Sequence, residues 1–188
     1  MYATARHTVT KDWRTRLPRE MEVVVNDVSA APPTHAIAAY LQTSAMQKQR
    51  VSIHAVHGLV LAANCANLPP LPHSNPHALD YPGFKASLPV IPLSIKCLET
   101  FPVLLEYLYT QNKDSLLRSI LPISPLGDIP PPAKLARELA RMCAPVTLLS
   151  HLQRIHGLWG NVTALGVSDE GLWRIMVQAW EVLQDALA

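Results

Sequence analysis

Seven glycines in 188 residues leave few loops able to cradle a phosphate, and neither GxxxxGK[ST] nor GxGxxG occurs. A GxSxG elbow is missing too. The nearest stretch, "GVSDEG" (Gly166 to Gly171), has no strand before it to build the strand–turn–helix of a serine hydrolase. Three cysteines, Cys65, Cys97 and Cys143, form no CxxC pair and are odd in number. That argues against a secreted disulfide framework and for a reducing, intracellular compartment, cytoplasm or nucleus. No apolar run approaches the length of a membrane span, and the N-terminus has no hydrophobic signal core. Its arginines suggest a transit peptide, but it is poor in serine and carries acids. A dominant charge is also absent: 16 basic against 14 acidic residues, net +2, is too balanced for a nucleic-acid footprint. These absences lead us to expect no catalytic residue, no cofactor, no small-molecule substrate and no membrane partner.

What is present is apolar. Hydrophobic residues make up 49% and charged residues 16%, enough to bury a core that offsets the entropy of ordering the chain. The length suits one domain over residues 20–188. Ahead of it, residues 1–19 lean basic, with Arg6, Lys11, Arg14, Arg16 and Arg19 against Asp12 and Glu20. This arm reads as a solvated, flexible tail, with weak nucleic-acid contact as the alternative.

"MEVVVND" (Met21 to Asp27) has the β-branched run of a strand, and Pro32-Pro33 breaks it. After Thr34, Ile37, Leu41 and Ala45 repeat every four residues and predict a helix. "VSIHAV" predicts a second strand, followed by a helix with Leu59, Val60, Ala63 and Ala66 facing a sheet. Residues 67–92 hold seven prolines and read as a long loop, with "LPVIPL" at its end an edge strand at most.

In "FPVLLEYLYTQN", Phe101, Leu104, Leu105 and Leu108 line one side of a helix capped by Thr100 and stopped near Gln111-Asn112. "DSLLRSILPI" predicts a further short helix, and a second proline-rich link, "PISPLGDIPPP", leads to three helical segments over 133–188. The first carries Leu135, Leu139 and Met142 on one face, with Lys134 and Glu138 paired at i, i+4. The second carries Leu148, Leu152, Ile155 and Trp159, and the third opens on a Ser168 cap. That last helix has Leu172, Ile175, Met176, Ala179, Trp180, Leu183 and Leu187 on its stripe, widened by Trp173 and Val177. A stripe this wide exceeds one packed face; it fits a helix wedged between two layers, or one presenting a partner-binding surface.

Eight histidines raise a metal hypothesis. His54, His57, Cys65, His73 and His77 are of the ligand types zinc takes, but their spacing fits no compact finger. His54 and His57 start from a strand, where residues three apart face opposite sides. Core or surface histidines fit better, and a zinc protein or metal-dependent Cys/His enzyme is kept as an alternative.

Two stretches together carry a family likeness. "VSIHAVHGLVLAANCANLP" resembles the BTB/POZ signature of a strand followed by His-x-x-Val-Leu-Ala-Ala, through His57, Val60, Leu61, Ala62 and Ala63. "LPVIPLSIKCLETFPVLLEYLYTQN" resembles that family's short strand and its Phe-x-x-x-Leu-x-x-Leu-Tyr-Thr helix, through Phe101, Leu105, Leu108, Tyr109 and Thr110. The likeness covers residues 20–112. It implies a degenerate BTB/POZ-like α+β fold: a small mixed sheet flanked by helices over 20–121, interrupted by the proline loop 67–92, then a helical C-terminal part over 133–188. His57, Leu61, Phe101, Leu105, Leu108 and Tyr109 are its core signature, with the Phe101 helix packed on the Leu59 helix and Tyr109 capping the core. The chain departs from the family where the helix after Thr34 separates the first two strands, usually a tight hairpin. Within the same region, "LPVIPLSIKCLETFPVLLEYLYTQNKDSLLRSILP" is similar to the fungal clampless-type proteins, basidiomycete regulators of clamp-cell formation and sexual development.

That likeness implies a developmental regulator acting through protein contacts, with regulatory proteins, including transcription factors, as partners and homodimer formation as a further mode. Trp173, Val177 and Trp180 are the candidate partner-binding residues, because tryptophan often anchors binding hot spots.

Overall fold

The structure is a computed structural model that describes residues 5–9, 17–25, 31–41, 49–74, 82–124 and 127–188. The chain groups into two units, residues 1–98 and 99–188. The class is α+β: every described strand lies in the first unit, and all the described helices but one lie in the second.

Five strands form the sheet of the first unit: β1 (Ala5–Val9), β2 (Glu20–Val25), β3 (His35–Leu41), β4 (Gln49–Val56) and β5 (Phe84–Ile95), in the order β1-β4-β3-β5-β2. Only β3 and β5 pair in parallel, with Ala36 opposite Val90. Residues 5–9 of the expected basic arm thus pair as an edge strand, Arg6 opposite Ser52. Lys11, Asp12, Arg14 and Arg16 lie outside the described residues.

Two expectations are corrected here. His35–Leu41 is a strand, not the start of a helix; Ala45 lies outside the described residues. Because β3 is paired on both sides and covered on both faces, Ala36, Ala38 and Ala39 are 0% exposed and Ile37 1%. Such a strand is a continuous apolar run without alternation, and the helix preference of its alanines loses to the pairing. The second correction concerns β5, twelve residues long and central despite Pro89 and Pro92. Its first half, 84–89, pairs with β2 and its second half, 90–95, with β3. Val90 donates its N–H to Arg19 on the β2 side, so even-numbered residues point there and odd-numbered ones toward β3. The ring nitrogen of Pro89 therefore faces β3 before that pairing starts, and that of Pro92 faces β2 after its pairing ends. Neither proline removes a ladder bond.

One face of the sheet gathers Val25, Ala36, Ala38, Tyr40, Val51, Ile53, Phe84, Ala86 and Leu88 into a cluster. Helix α1 (Gly58–Asn64) follows β4. It is only seven residues long and buries Gly58, Leu61 and its C-cap Cys65; Leu59 is 82% exposed, and Ala63 and Ala66 are exposed. The expected Leu59–Val60–Ala63–Ala66 face is corrected accordingly: two turns bury one narrow stripe, spaced i, i+3, i+7.

The second unit is helical: α2 (Phe101–Thr110), α3 (Lys113–Ile120), α4 (Pro132–Met142), α5 (Pro145–Leu165) and α6 (Glu170–Leu187). Helix α6 packs against α3, α4 and α5, and α2 against α3 and α5. Phe101, Leu104, Leu105 and Leu108 are buried as expected, and Gln111 ends α2 at a φ of 52°. Tyr109 does not cap a core: it is 40% exposed, and the buried ring belongs to Tyr107. Thr100 does not cap through its side chain; its hydroxyl accepts from the buried Asn161 amide at 3.0 Å. On α4, Leu135 and Leu139 are buried and Lys134 meets Glu138 at 3.8 Å, but Met142, at the end of its helix, is 82% exposed. Helix α5 runs past Trp159 to Gly166, whose φ of 67° ends it in a conformation that glycine adopts without strain.

The cap of α6 is Asp169, one residue after the expected Ser168. Its Oδ1 accepts from the Leu172 N–H at 2.6 Å and from the Tyr107 hydroxyl at 2.9 Å. Burial, reinforced by the Asp169 hydrogen bond and charge, pushes the Tyr107 phenol up to about 12. Raised above its ordinary value near 10, the phenol contributes stability that is complete below pH 10 and lost as pH climbs toward 12. Tyr107→Phe is expected to cost about 1 kcal/mol at pH 7 and to flatten this alkaline loss; Asp169→Ala is expected to cost about 1–2 kcal/mol. Urea titrations from pH 7 to 11 check both.

Candidate functional site

Two constellations of polar and aromatic side chains stand out, one in each unit. In the first, Thr34 ends the segment before β3, and its hydroxyl oxygen accepts the N–H of Gly58 at 2.7 Å, serving α1 from across the sheet. His35 Nε2 donates to the Pro72 carbonyl at 2.9 Å, which can only accept, and its Nδ1 lies 2.7 Å from the Thr34 hydroxyl. The Ser74 hydroxyl donates to the Thr34 carbonyl. A Cβ on Gly58 would lie 2.6 Å from His35 Nδ1, so only glycine fits at this approach. The cluster ties the loop at 72–74 and the start of α1 to the sheet.

Nearby, Ser52 Oγ and His54 Nε2 are 2.8 Å apart on one face of β4. A nucleophile and base require that distance, but Ser52 is 6% exposed and His54 5%, leaving no face for a substrate. His57 Nε2 donates to the Ala31 carbonyl at 2.9 Å. Burial pushes the Cys65 thiol up to about 11, away from the thiolate that binds metal or attacks carbon. His73 is exposed and His77 lies outside the described residues. Among the described residues no three His, Cys, Asp or Glu side chains gather as metal ligands.

The second constellation is a groove on the helical unit. His156 and Trp159 of α5 form one wall and Val177, Trp180, Glu181 and Gln184 of α6 the other, enclosing about 520 Å³. Its origin is helical geometry. Ile155, Leu158, Val162 and Leu165 fill the core side of α5, and Leu172, Met176, Ala179, Val182, Leu183 and Ala186 that of α6. What remains on the flanks is apolar too: Trp159 and Val177 are each 41% exposed. Leu59 and Met142 stand further out, at 82%, but Trp159 and Val177 line one groove together with Trp180, and it is apolar surface gathered in one place that marks interaction sites.

Of the three partner-binding candidates, Val177 and Trp180 come together in this groove. Trp173 lies beside it: its ring meets Trp159 edge-on, centroids 5.1 Å apart at 81°, and its indole N–H donates to the Val167 carbonyl at 3.1 Å. Sequence reasoning missed His156, Glu181 and Gln184. The signal was there at helical spacing, since Glu181 follows Val177 and Gln184 follows Trp180 by four residues. Glu181 has no hydrogen bond or ion pair among the described residues, and Arg174 pairs with Glu170 instead, at 2.9 Å. The groove thus brings together two tryptophans, Val177 and the Glu181 carboxylate. No described helix is long and apolar enough to cross a membrane.

Comparison with known proteins gives two matches. The model of the clampless protein 1 N-terminal domain matches residues 1–95, and that of the clampless protein 1 C-terminal domain matches residues 114–188. The break between the structural units, at 98/99, falls in the gap between them, and α2 lies in that gap. No curated protein and no solved structure matches the chain.

Proposed function

The chain belongs to the clampless protein 1 family, and from that premise we propose that it is a non-enzymatic regulator of fungal clamp-cell and sexual development that works by docking partner proteins. The α5–α6 groove is the docking surface. The observation that carries this reading is the pair of exposed apolar side chains, Trp159 and Val177, facing a common groove with Trp180. Aromatic anchors in a shaped depression are what hot spots of protein interfaces consist of. Regulatory proteins, transcription factors among them, are the proposed partners, in the cytoplasm or nucleus.

A BTB/POZ-like plan for the first unit is also proposed, and the corrected β3 supports it. With His35–Leu41 a strand, the antiparallel pair β3–β4 stands where that family has its hairpin, α1 follows, and β5 returns parallel to β3 before α2.

The test is Val177→Asp, expressed at the native locus of the source fungus. Because Val177 is exposed, the variant is expected to keep wild-type helicity and an unfolding free energy within about 0.5 kcal/mol of wild type, while clamp formation is lost. A folded Val177→Asp protein that supports normal clamps would remove the groove from the mechanism.

A further inference from the structure

We propose that the groove receives a lysine or arginine side chain from a partner protein's basic segment, its cation meeting the Glu181 carboxylate and the indole faces of Trp159 and Trp180. This rests on the docking reading above and adds the partner's chemistry.

The charge balance around the groove points to a cation. The residues lining the groove include one carboxylate, Glu181, and no lysine or arginine; of the two helices that form it, α5 carries Arg154, and α6 carries Glu170, Glu181 and Asp185 against Arg174, with Asp169 as its cap. Glu170 is taken by Arg174, and Asp169 by the Tyr107 hydroxyl and the Leu172 N–H. Glu181 and Asp185, one helical turn apart, are left with no hydrogen bond or ion pair among the described residues. His156, on the opposite wall, makes no hydrogen bond to Glu181. Arg174 is the one base within α6 and pairs with Glu170, so the helix itself supplies no other base to these two carboxylates.

The rest of the groove suits the remainder of a basic side chain. Tryptophan is the best of the aromatic faces for a cation, and a carboxylate beside it supplies a charge-assisted hydrogen bond. The aliphatic stem of lysine or arginine lies well on apolar surface such as Val177. An acidic partner would meet two unpaired carboxylates, and a wholly apolar one would bury Glu181 without compensation. The charge therefore selects as well as attracts.

The probes are N-acetyl-arginine methylamide and its neutral isostere, N-acetyl-citrulline methylamide, titrated into the full chain while the tryptophan indole N–H resonances are followed by NMR. The expected result is a saturable shift of the Trp159 and Trp180 signals, with the arginine compound binding about tenfold more tightly. Glu181→Gln is expected to bring arginine down to the citrulline level. Equal binding of the two compounds would overturn the inference, as would absence of binding or an arginine preference that survives Glu181→Gln. A groove already covered by a second copy would overturn it too, seen by light scattering as a dimer that Val177→Asp dissociates. Any of these outcomes leaves the docking reading to be judged separately by the clamp phenotype of Val177→Asp.

Discussion

Ile91→Pro is expected to unfold the first unit. The Ile91 N–H points toward β3, so a proline there removes a ladder bond between the two parallel strands and sets its ring against the neighbour. Loss of the buried isoleucine side chain adds a cavity, for a total of about 5 kcal/mol or more, comparable with the whole stability of a typical domain. Ile91→Ala is the control. It carries the cavity, about 2–5 kcal/mol, but keeps the N–H, so the difference between the two variants reports the ladder bond and the clash. One position on, Pro92→Ala is expected to change stability by less than about 1 kcal/mol, because that nitrogen faces no paired strand and only the entropy of the unfolded chain changes. Urea unfolding followed by far-UV circular dichroism compares all three. If Ile91→Pro and Ile91→Ala were equally destabilising, the alternation of N–H direction along β5 would be wrong.

The second large effect lies at Gly58. Its N–H is held by Thr34, and a methyl group would reach within 2.6 Å of His35 Nδ1 and 2.7 Å of Cε1. The ring has no room to yield, because its two nitrogens are engaged by Thr34 and Pro72. Gly58→Ala is therefore expected to displace His35, break those bonds and cost about 2–4 kcal/mol. The double variant Gly58→Ala/His35→Ala is expected to cost less than the sum of the single variants by at least about 1 kcal/mol, since the ring that the methyl group meets is gone. Additive costs in the thermal melts would mean that the close approach does not determine the glycine.

Much of the helical unit is legible from spacing alone. The buried faces of α2 and of the first two turns of α4 appear at i, i+3 and i+4 in the sequence, and those residues are buried in the fold. Misreadings cluster where a local signal competes with a distant partner. Thr100 and Ser168 are good cap residues by type, yet the Thr100 hydroxyl accepts from Asn161, sixty-one positions away, and Asp169 caps α6 while also receiving Tyr107. Tyr107 and Tyr109 differ by two residues on one helix, about 200° around its axis, so one is buried and the other exposed. Of the groove, Val177 and Trp180 were legible as apolar residues in excess of one face. Glu181 stands at helical spacing from Val177, but spacing alone did not single it out, because a charged residue on a helix reads as ordinary solvated surface until its neighbours are known.

The sequence by itself determines the class of this protein: enough apolar residues for a core, helices with their periods after residue 100, and the motif residues that place it beside the clampless-type proteins. Tertiary structure alone decides that an alanine-rich segment becomes the central strand β3, that a strand with two prolines can stand beside it, and which side chains of α5 and α6 remain outside the core. The physical reason is the same in each case. Periodicity and propensity are properties of a segment and its near neighbours, whereas the direction of an N–H toward or away from a paired strand, and the coverage of a helix flank, are set by residues tens of positions away that only the folded chain brings together.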